Sequence, residues 1–595
     1  FCKSSLPQGN ATFMKIIFSV LLFGLLFVNA SAKTLVEQAY EAGALDLGTA
    51  LIYQAQSARD AGSIPSEYQQ KPSRAFCGTP HVVEAVSAIA HLGEAYGQRL
   101  GKLVQRRPNK ALDAVSPSGR FRIHYDIEGS DAVDPTDTDN NGIPDYIDLT
   151  ATVLDSMWVL EVDQLGYNAP PDDGGVAGDE YDVYVADLGR GGAYGFTYPE
   201  RAGKTSSSYL EIDNDYTNAI YQQTKGHDAL RVTIAHEFHH AIQFGYYQGS
   251  DSIWWQESTS TWMEEVAYPE VDDYLQYLPS FLGSPHRALN SGSRVGADFH
   301  IYGTSIFSHF LDQRYSREVN RLVWEEMGRR GNAQLEHFNR VLLGIQPGGL
   351  SIAVSQFAVW NYFTGSRFRE GYYEEGFKYP QVPTRDLEVD ENASALDENS
   401  LDATSSAYVR LSPRLRGGGA TFTFRPGRGL WRRHLVLVSS DSVIVQAISD
   451  EQTRVAGWDQ YQEVIMVVTS GEESGFAYSY TLEAAYDPAL TDAPAAMASG
   501  LRPSMPNPFH PAQGTPVRFV FDLAESSETT QLSVYTANGD LVWQRDLGPR
   551  AARQGHDTTW DGRNTAGTMV SSGVYHLLLE TEGRVAKRSM AVVRD

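Results

Sequence analysis

Apolar positions change period several times along the chain. Between residues 33 and 107 they recur at helical spacing. Val82, Val86, Ile89, Leu92, Tyr96 and Leu100 fall three or four residues apart, and the run stops in the polar, basic "QRRPNK". From about 118 to 216 the period drops to two. "FRIHY", "YDVYVADL" and "SYLEIDNDY" alternate apolar with polar residues and are separated by Gly- and Asp-rich loops, which predicts strands. A helical block follows from about 228 to 370. Strands before helices predict an α+β domain over 108–385, not a βαβ repeat.

After the acidic, proline-bearing "KYPQVPTRDLEVDENASALDENS", which reads as a linker, the pattern is all-β. "ATFTF", "HLVLV", "SVIVQAI", "EVIMVV" and "YSYTLEAAY" are short strands at sandwich-like spacing and define a β-sandwich over 400–488. A second linker, "DPALTDAPAAMASG", leads to a β unit over 498–595. In it Asn538-Gly539 is a hairpin signal, and Asp561-Gly562 and Gly567 mark further tight turns. A length of 595 residues agrees with about four domains.

Composition adds compartment and excludes partners. Met14 opens "MKIIFSVLLFGLLFVNASA", with basic Lys15, an apolar run from Ile16 to Val28 and the small-residue pattern Ala30-Ser31-Ala32. That predicts a secretory signal peptide over 14–32, with residues 1–13, Cys2 among them, read as upstream sequence in frame. Only Cys77 then remains, so disulfides do not hold the fold. A net charge of −26 argues against nucleic acid or an anionic lipid surface as partner. Arg106-Arg107 before Pro108 reads as an exposed processing site or as a basic linker.

The chemistry lies in the helical block. His236-Glu237-Phe238-His239-His240 is an HExxH motif set in the apolar stripe Ile234, Phe238 and Ile242. One turn separates His236 from His240, so both imidazoles face the same way and can share a metal, with Glu237 placed to take a proton from water. A hydrolytic zinc site needs a third protein ligand. The metzincin positions that would follow are Gln243 and Tyr246, so the ligand comes from elsewhere. In "WWQESTSTWMEE", Trp255, Thr259, Trp262 and Val266 share one helical face and Glu257 and Glu264 another. Glutamates on a core-packed helix are costly to bury unless they meet a cation.

HExxH followed by a second helix with W-x-x-E-[ST]-x-[ST]-x-x-x-E resembles the gluzincin class of zinc proteases. The stretch from about 118 to 375, with "NNGIPDYID", "YDVYVADLG", "HEFHHAIQFGY" and "YGTSIF", resembles secreted bacterial HExxH metalloproteases. The resemblance implies His236, His240 and Glu257 as zinc ligands, Glu237 as general base and Glu264 as the acceptor that orients a ligand histidine. His239 is a neighbour and Glu265 is expected in solvent. Tyr302 and His300 are the candidates for the donor that stabilises the oxyanion. By analogy with zincins, "SYLEIDNDY" is the candidate edge for pairing with a substrate strand.

Two further metal signals lie upstream. "DTDNNGIPDYID" places Asp137, Asp139 and Asn141 at loop positions one, three and five, Gly142 at six, Ile143 at seven, Asp145 at nine and Asp148 at twelve. This is calcium-loop spacing, with Asp replacing the final Glu, and it predicts a structural calcium site. In "SRAFCGTP", Cys77 is either a buried structural thiol or a thiolate that fills the open zinc position and holds the enzyme latent. "CGTP" resembles the Cys-Gly-x-Pro core of the matrixin cysteine switch, with Phe76 in place of the preceding arginine and His81 where an aspartate follows.

The last unit, through "MPNPFHPAQGTPVRFVFDL", "LSVYTANGDLVWQ" and "TTWDGRNTAGTMVSSGVYHLLLE", resembles the FlgD-like immunoglobulin fold and the sorting domains of type IX secretion substrates. The resemblance implies export, surface attachment through secretion machinery, or capping. Together these expectations describe a secreted or cell-surface zinc endopeptidase, made as a zymogen, acting on a protein or peptide. The competing readings are an adhesion or binding protein with a non-catalytic zinc domain and a metal-dependent hydrolase of non-peptide substrates.

Overall fold

The computed structural model describes residues 33–594, apart from 105, 107–109, 176–177, 293–298, 392, 414–416, 440–441, 492–499, 524–525, 538, 552 and 582–583. The signal-peptide segment 14–32, Cys2 and Arg107 therefore lie outside the described residues. Among those described, no helix is long and apolar enough to cross a membrane. The protein is multidomain, with a helical N-terminal and central region followed by all-β sheets.

The N-terminal segment folds as helices α1 (Leu35–Glu41), α2 (Leu47–Arg59), α3 (Thr79–Ser87) and α4 (Glu94–Leu103). Thr34 and Glu37 close α1 with a reciprocal capping box, and Asp46 caps α2 by accepting from Thr49 N. The next domain is built on a five-stranded sheet of order β1-β2-β3-β5-β4. Its strands are β1 (Leu112–Val115), β2 (Phe121–Tyr125), β3 (Tyr181–Ala186), β4 (Gly195–Pro199) and β5 (Ser208–Asp213). β2, β3 and β5 run parallel, and β4 is antiparallel to β5 at the edge.

The alternation in "SYLEIDNDY" predicts a half-buried strand, and the analogy with zincins puts it at an edge. The structure corrects both points: β5 lies between β3 and β4, and all six of its residues are buried. One face meets helices α5 (Asp145–Met157) and α6 (Gly226–Tyr246). The other, carrying Phe196, Tyr198, Tyr209 and Glu211, is covered by the N-terminal helices. Arg59 of α2 pairs with Glu211 at 2.5 Å, and the Tyr209 hydroxyl donates to Val104 O at 3.2 Å. The buried acid survives because it is paired with a cation. Arg106, expected in an exposed processing site, is instead held by Asp173, Asp182 and Glu200, with its side chain only 14% exposed.

α6 is buried on nearly its whole circumference from Ala229 to Tyr246, so packing rather than an amphipathic pattern holds it. Against it lie α7 (Ile253–Ala267) and, beyond, α8 (Ser305–Arg314), α9 (Glu318–Arg330), α10 (Leu335–Leu343) and α11 (Gly349–Tyr362). Trp255, Trp262 and Trp324 fill this core with no exposed surface.

The middle sandwich begins earlier than its sequence suggests. The segment read as a linker supplies β6 (Arg385–Val389) and β7 (Ala395–Leu401), one to each sheet. The remaining strands are β8 (Ser406–Pro413), β9 (Gly419–Pro426), β10 (Trp431–Val438), β11 (Val443–Ile448), β12 (Gln452–Ala456), β13 (Glu463–Ser470) and β14 (Tyr478–Asp487), in orders β11-β10-β13-β8-β6 and β12-β9-β14-β7. β7 hid from a hydrophobicity reading because "ALDENSL" is polar outward at an edge. The C-terminal unit packs a three-stranded sheet on a four-stranded one, with Phe519, Trp560 and Leu577 in its core. Gly539 turns its predicted hairpin at φ 93°.

Candidate metal centre

HExxH lies in the middle of α6, and its helix geometry brings His236 and His240 to one side with ring centroids 4.8 Å apart. α7 crosses beside it and delivers two carboxylates. Glu257 Oε2 lies 3.3 Å from His236 Nε2, and Glu257 Oε1 lies 3.1 Å from His240 Nε2. Glu264, two turns further on, takes His236 Nδ1 at 2.6 Å. Cys77 comes from the N-terminal segment, its Sγ 3.6 Å from His240 Nε2. The donor atoms of Cys77, His236, His240 and Glu257 all lie within 4.8 Å of one another, and all four residues are buried.

The hydrogen-bond network fixes where the lone pairs point. Gln243 Nε2 donates to Gln256 O, Thr259 Oγ1 and Ser260 Oγ, each at 3.0 Å. Its carbonyl oxygen therefore faces His240 Nδ1, which donates to it at 2.7 Å. His236 Nδ1 in turn donates to Glu264. Both Nε2 atoms are left presenting lone pairs to the oxygens of Glu257, themselves acceptors. His236 Nε2 and both Glu257 oxygens are buried without a hydrogen-bond partner. Acceptors converging in a dry site repel unless a cation lies between them, so these residues fit a metal ion. Two imidazoles, a carboxylate and a thiol are ligand types that suit zinc.

Glu237 is the carboxylate beside that group. Its Oε2 accepts from the hydroxyls of Thr79 and Thr197, each at 2.8 Å, and its Oε1 from Cys77 Sγ at 3.1 Å. Gly195 of β4 lets the sheet close over it, since a Cβ there would lie 2.8 Å from Glu237 Cγ. His239 points elsewhere. Its Nδ1 meets Glu161 Oε2 at 2.6 Å, and Glu161 comes from a π-helical continuation of α5 over Trp158–Gln164. Burial drives this pair toward neutrality, pushing Glu161 well up and His239 well down, the latter aided by His240 and His236.

Residues 76–78 lie parallel to residues 192–195, which lead into β4, through one isolated bridge at Phe76 and Ala193. Phe76 N donates to Gly192 O at 3.1 Å, Tyr194 N to Phe76 O at 2.9 Å and Gly78 N to Gly195 O at 2.9 Å. Gly78 is required here, because a Cβ would lie 1.9 Å from a ring carbon of Phe196. Next along the chain, Thr79 Oγ1 accepts from Thr197 N at 2.7 Å. Burial pushes the Cys77 thiol well up, and the Glu237 and Glu257 carboxylates add to the shift.

The two oxyanion candidates separate. The Tyr302 hydroxyl donates to Cys77 O at 3.0 Å and so reaches the centre. His300 instead donates from Nε2 to Ala288 O at 3.1 Å and packs on Phe281, so it does not join the centre. Glu265, expected in solvent, is half-buried beside Asp272 and Glu375, and burial pushes it up to about 8. Lys378 already bridges Asp272 and Glu375 at 2.9 and 2.6 Å.

The candidate calcium loop folds tightly just before α5. Asn141 N meets Asp137 and Asp139 Oδ1 at 3.1 Å each, and Asn141 Nδ2 meets Asp148 Oδ2 at 2.9 Å. Ile143 N donates to Asn141 Oδ1 at 2.7 Å. Thr138 donates from N and Oγ1 to the two oxygens of Asp145 at 2.8 and 2.5 Å.

Sequence reasoning missed three groups at the centre: Gln243, Thr79 and Thr197. Gln243 stood in plain view three residues after His240, on the same helical face, and could have been found by that spacing.

Residues 508–583 match the FlgD Ig-like domain family, and the C-terminal unit is such a domain. Among solved structures, PorZ, an essential surface component of the type IX secretion system of Porphyromonas gingivalis, is 16% identical with a TM-score of 0.13. The match covers 21% of this chain and 15% of PorZ. FlgD from P. aeruginosa is 20% identical with a TM-score of 0.12, over 16% of this chain and 66% of that one. The adhesin domain of Epf from Streptococcus pyogenes is 10% identical with a TM-score of 0.13, over 34% and 77%. The chain thus spans about a seventh of PorZ's length and just under two thirds of FlgD's. No curated protein matches the chain.

Proposed function

We propose that the chain is the precursor of an exported zinc endopeptidase, held latent by its own N-terminal segment. The observation that carries this reading is the convergence of His236 Nε2, His240 Nε2 and the unpartnered Glu257 oxygens beside the Glu237 carboxylate. When bound, zinc would polarise a peptide carbonyl and lower the pKa of water.

The chain's own groups do the rest. Gln243 and Glu264 hold the two imidazoles with their Nε2 lone pairs inward. Glu237 takes the proton of the attacking water at its carboxylate and passes it to the leaving amine. Tyr302 Oη, which donates to the Cys77 carbonyl in the precursor, is positioned to donate to a substrate carbonyl once residues 76–78 withdraw. Their withdrawal also frees the β4 edge for a substrate strand. Latency has two contacts: Cys77 at the metal ligands and Thr79 on the general base. Asp137, Asp139, Asn141, Ile143, Asp145 and Asp148 would hold a structural calcium ion, and the FlgD Ig-like domain supports export and attachment at the cell surface.

One observation favours a different reading. Cys77 completes a set of four protein ligands, as in structural zinc sites, which would suit a surface binding protein. Zinc content and casein hydrolysis of the full chain, its Cys77→Ser variant and the Cys77→Ser/Glu237→Gln pair separate the two. Hydrolysis that rises with Cys77→Ser and vanishes with Glu237→Gln at unchanged zinc supports the peptidase. Zinc bound by all three with no hydrolysis supports the binding protein.

A further inference from the structure

A cavity of about 340 Å³ lies where the helical domain, the middle sandwich and the FlgD Ig-like domain meet. Trp360 of α11 and Tyr372 wall one side. Val445 of the sandwich and Met505 of the C-terminal domain wall others, and Arg314 and Arg502 also line it. It belongs to neither the metal centre nor the calcium loop.

The charges in it do not balance. Arg502 is accounted for, since its fork meets Asp522 at 2.9 and 3.0 Å. Arg314, the last residue of α8, lies over the Tyr315 ring at 5.3 Å and makes no hydrogen bond or ion pair among the described residues. Arg588, on the C-terminal strand Arg584–Val592, likewise has none and lies close enough to repel it. Two guanidiniums, Arg314 and Arg502, thus line the cavity with one carboxylate, Asp522, and the third, Arg588, lies outside the lining. Burial pushes Arg314 down, and Arg588 and Arg502 add to that, partly offset by Tyr315. A largely enclosed cation without a counter-charge is costly, and an anion seated against it removes the cost.

From this geometry we infer that the cavity binds a small organic carboxylate with a flat apolar body. The guanidinium fork of Arg314 matches a carboxylate in a bidentate fashion, and the aromatic and aliphatic walls match an apolar body. A concave pocket of this size, in which apolar walls meet convergent polar groups, is a usual form of a small-ligand site. Inorganic anions, strongly hydrated and without an apolar part, would gain nothing from Trp360, Tyr372 or Met505.

The test uses the full-length protein and three probes, followed by calorimetry and thermal shift. Benzoate carries ring and charge, acetate the charge alone, and benzamide the ring alone. Saturable binding of benzoate at least tenfold tighter than of acetate or benzamide is expected. Arg314→Gln should lose at least tenfold in benzoate affinity, and Arg314→Lys, which keeps the charge but not the fork, should fall between. Zinc content, a separate readout of the metal centre, should stay the same. The inference is overturned if benzoate shows no saturable binding, if benzamide or acetate binds as tightly, or if both variants bind like the parent.

Discussion

The Thr79 hydroxyl offers the sharpest test of the proposed latency, because it touches Glu237, the proposed general base, and not the proposed metal ligands. It donates to Glu237 Oε2 at 2.8 Å and accepts from Thr197 N at 2.7 Å. A hydrogen bond to a charged group contributes about 1.5–3 kcal/mol net and a neutral one about 0.5–1.5 kcal/mol. Thr79→Ala should therefore weaken docking of the N-terminal segment by about 2–4 kcal/mol. At about 1.4 kcal/mol per tenfold, the undocked fraction and the basal hydrolysis rise by roughly 30- to 700-fold. Thr79→Ser keeps the hydroxyl and loses one buried methyl, about 0.8 kcal/mol, so its rise should stay within about fivefold. The assay is hydrolysis of a quenched fluorescent peptide by the intact chain, with zinc content and circular dichroism as checks on the site and the fold. If Thr79→Ala hydrolyses no faster than Thr79→Ser while Cys77→Ser is active, the contact to Glu237 plays no part in latency.

Three further outcomes are expected. Removing the acceptor for His240 Nδ1 by Gln243→Leu should lower zinc affinity by about 10- to 100-fold, read by competition with a chelator; unchanged affinity would contradict the network drawn around His240. Burial holds His309, with Arg317 adding to the effect, down at about 3, so the folded state disfavours its proton. Stability is complete above about 6.5 and declines as pH falls toward 3, costing about 2 kcal/mol at pH 5, and urea midpoints of His309→Leu at pH 7 and 5 should show that loss removed. Calcium at about 10 mM, acting on a site of extracellular affinity near 10⁻⁴–10⁻³ M, should stabilise the chain by about 1.4–2.7 kcal/mol, and Asp139→Asn should abolish the effect; a denaturation midpoint indifferent to calcium would refute the loop assignment.

The legible parts of this protein were those with strong local signals. Strands such as "FRIHY" and "EVIMVV" stand where their alternation or apolar runs put them. His236 and His240 share a side as helical spacing implied, while Glu257 and Glu264 lie beside them as the resemblance implied. What could not be read was set by partners distant in sequence. Glu211 looks like a solvent-facing residue until Arg59, 152 residues earlier, covers it. Arg106 looks like an exposed basic site until three carboxylates close on it. His300 and Tyr302 are two residues apart, yet only the tyrosine reaches Cys77, because the short helix His300–Gly303 turns the histidine toward Ala288. The polar strand β7 carries no hydrophobic signal of its own and exists through its pairing with β14.

The seating of residues 76–78 at the start of β4 has a consequence for assembly of the chain. A sheet edge with unpaired amides is a template for pairing with other chains, and folded proteins blunt such edges. Here the guard at the start of β4 is the same stretch that carries Cys77, Gly78 and Thr79 into the centre, while Pro199 ends the strand at its other limit. The proposed inhibitor and the edge guard are thus one piece of polypeptide. A chain deprived of it would gain access to its centre and, in the same event, acquire a sticky border, so it should aggregate on refolding unless that piece is returned to it. Exposure of this border is thereby tied to the moment at which another strand can take the vacated place.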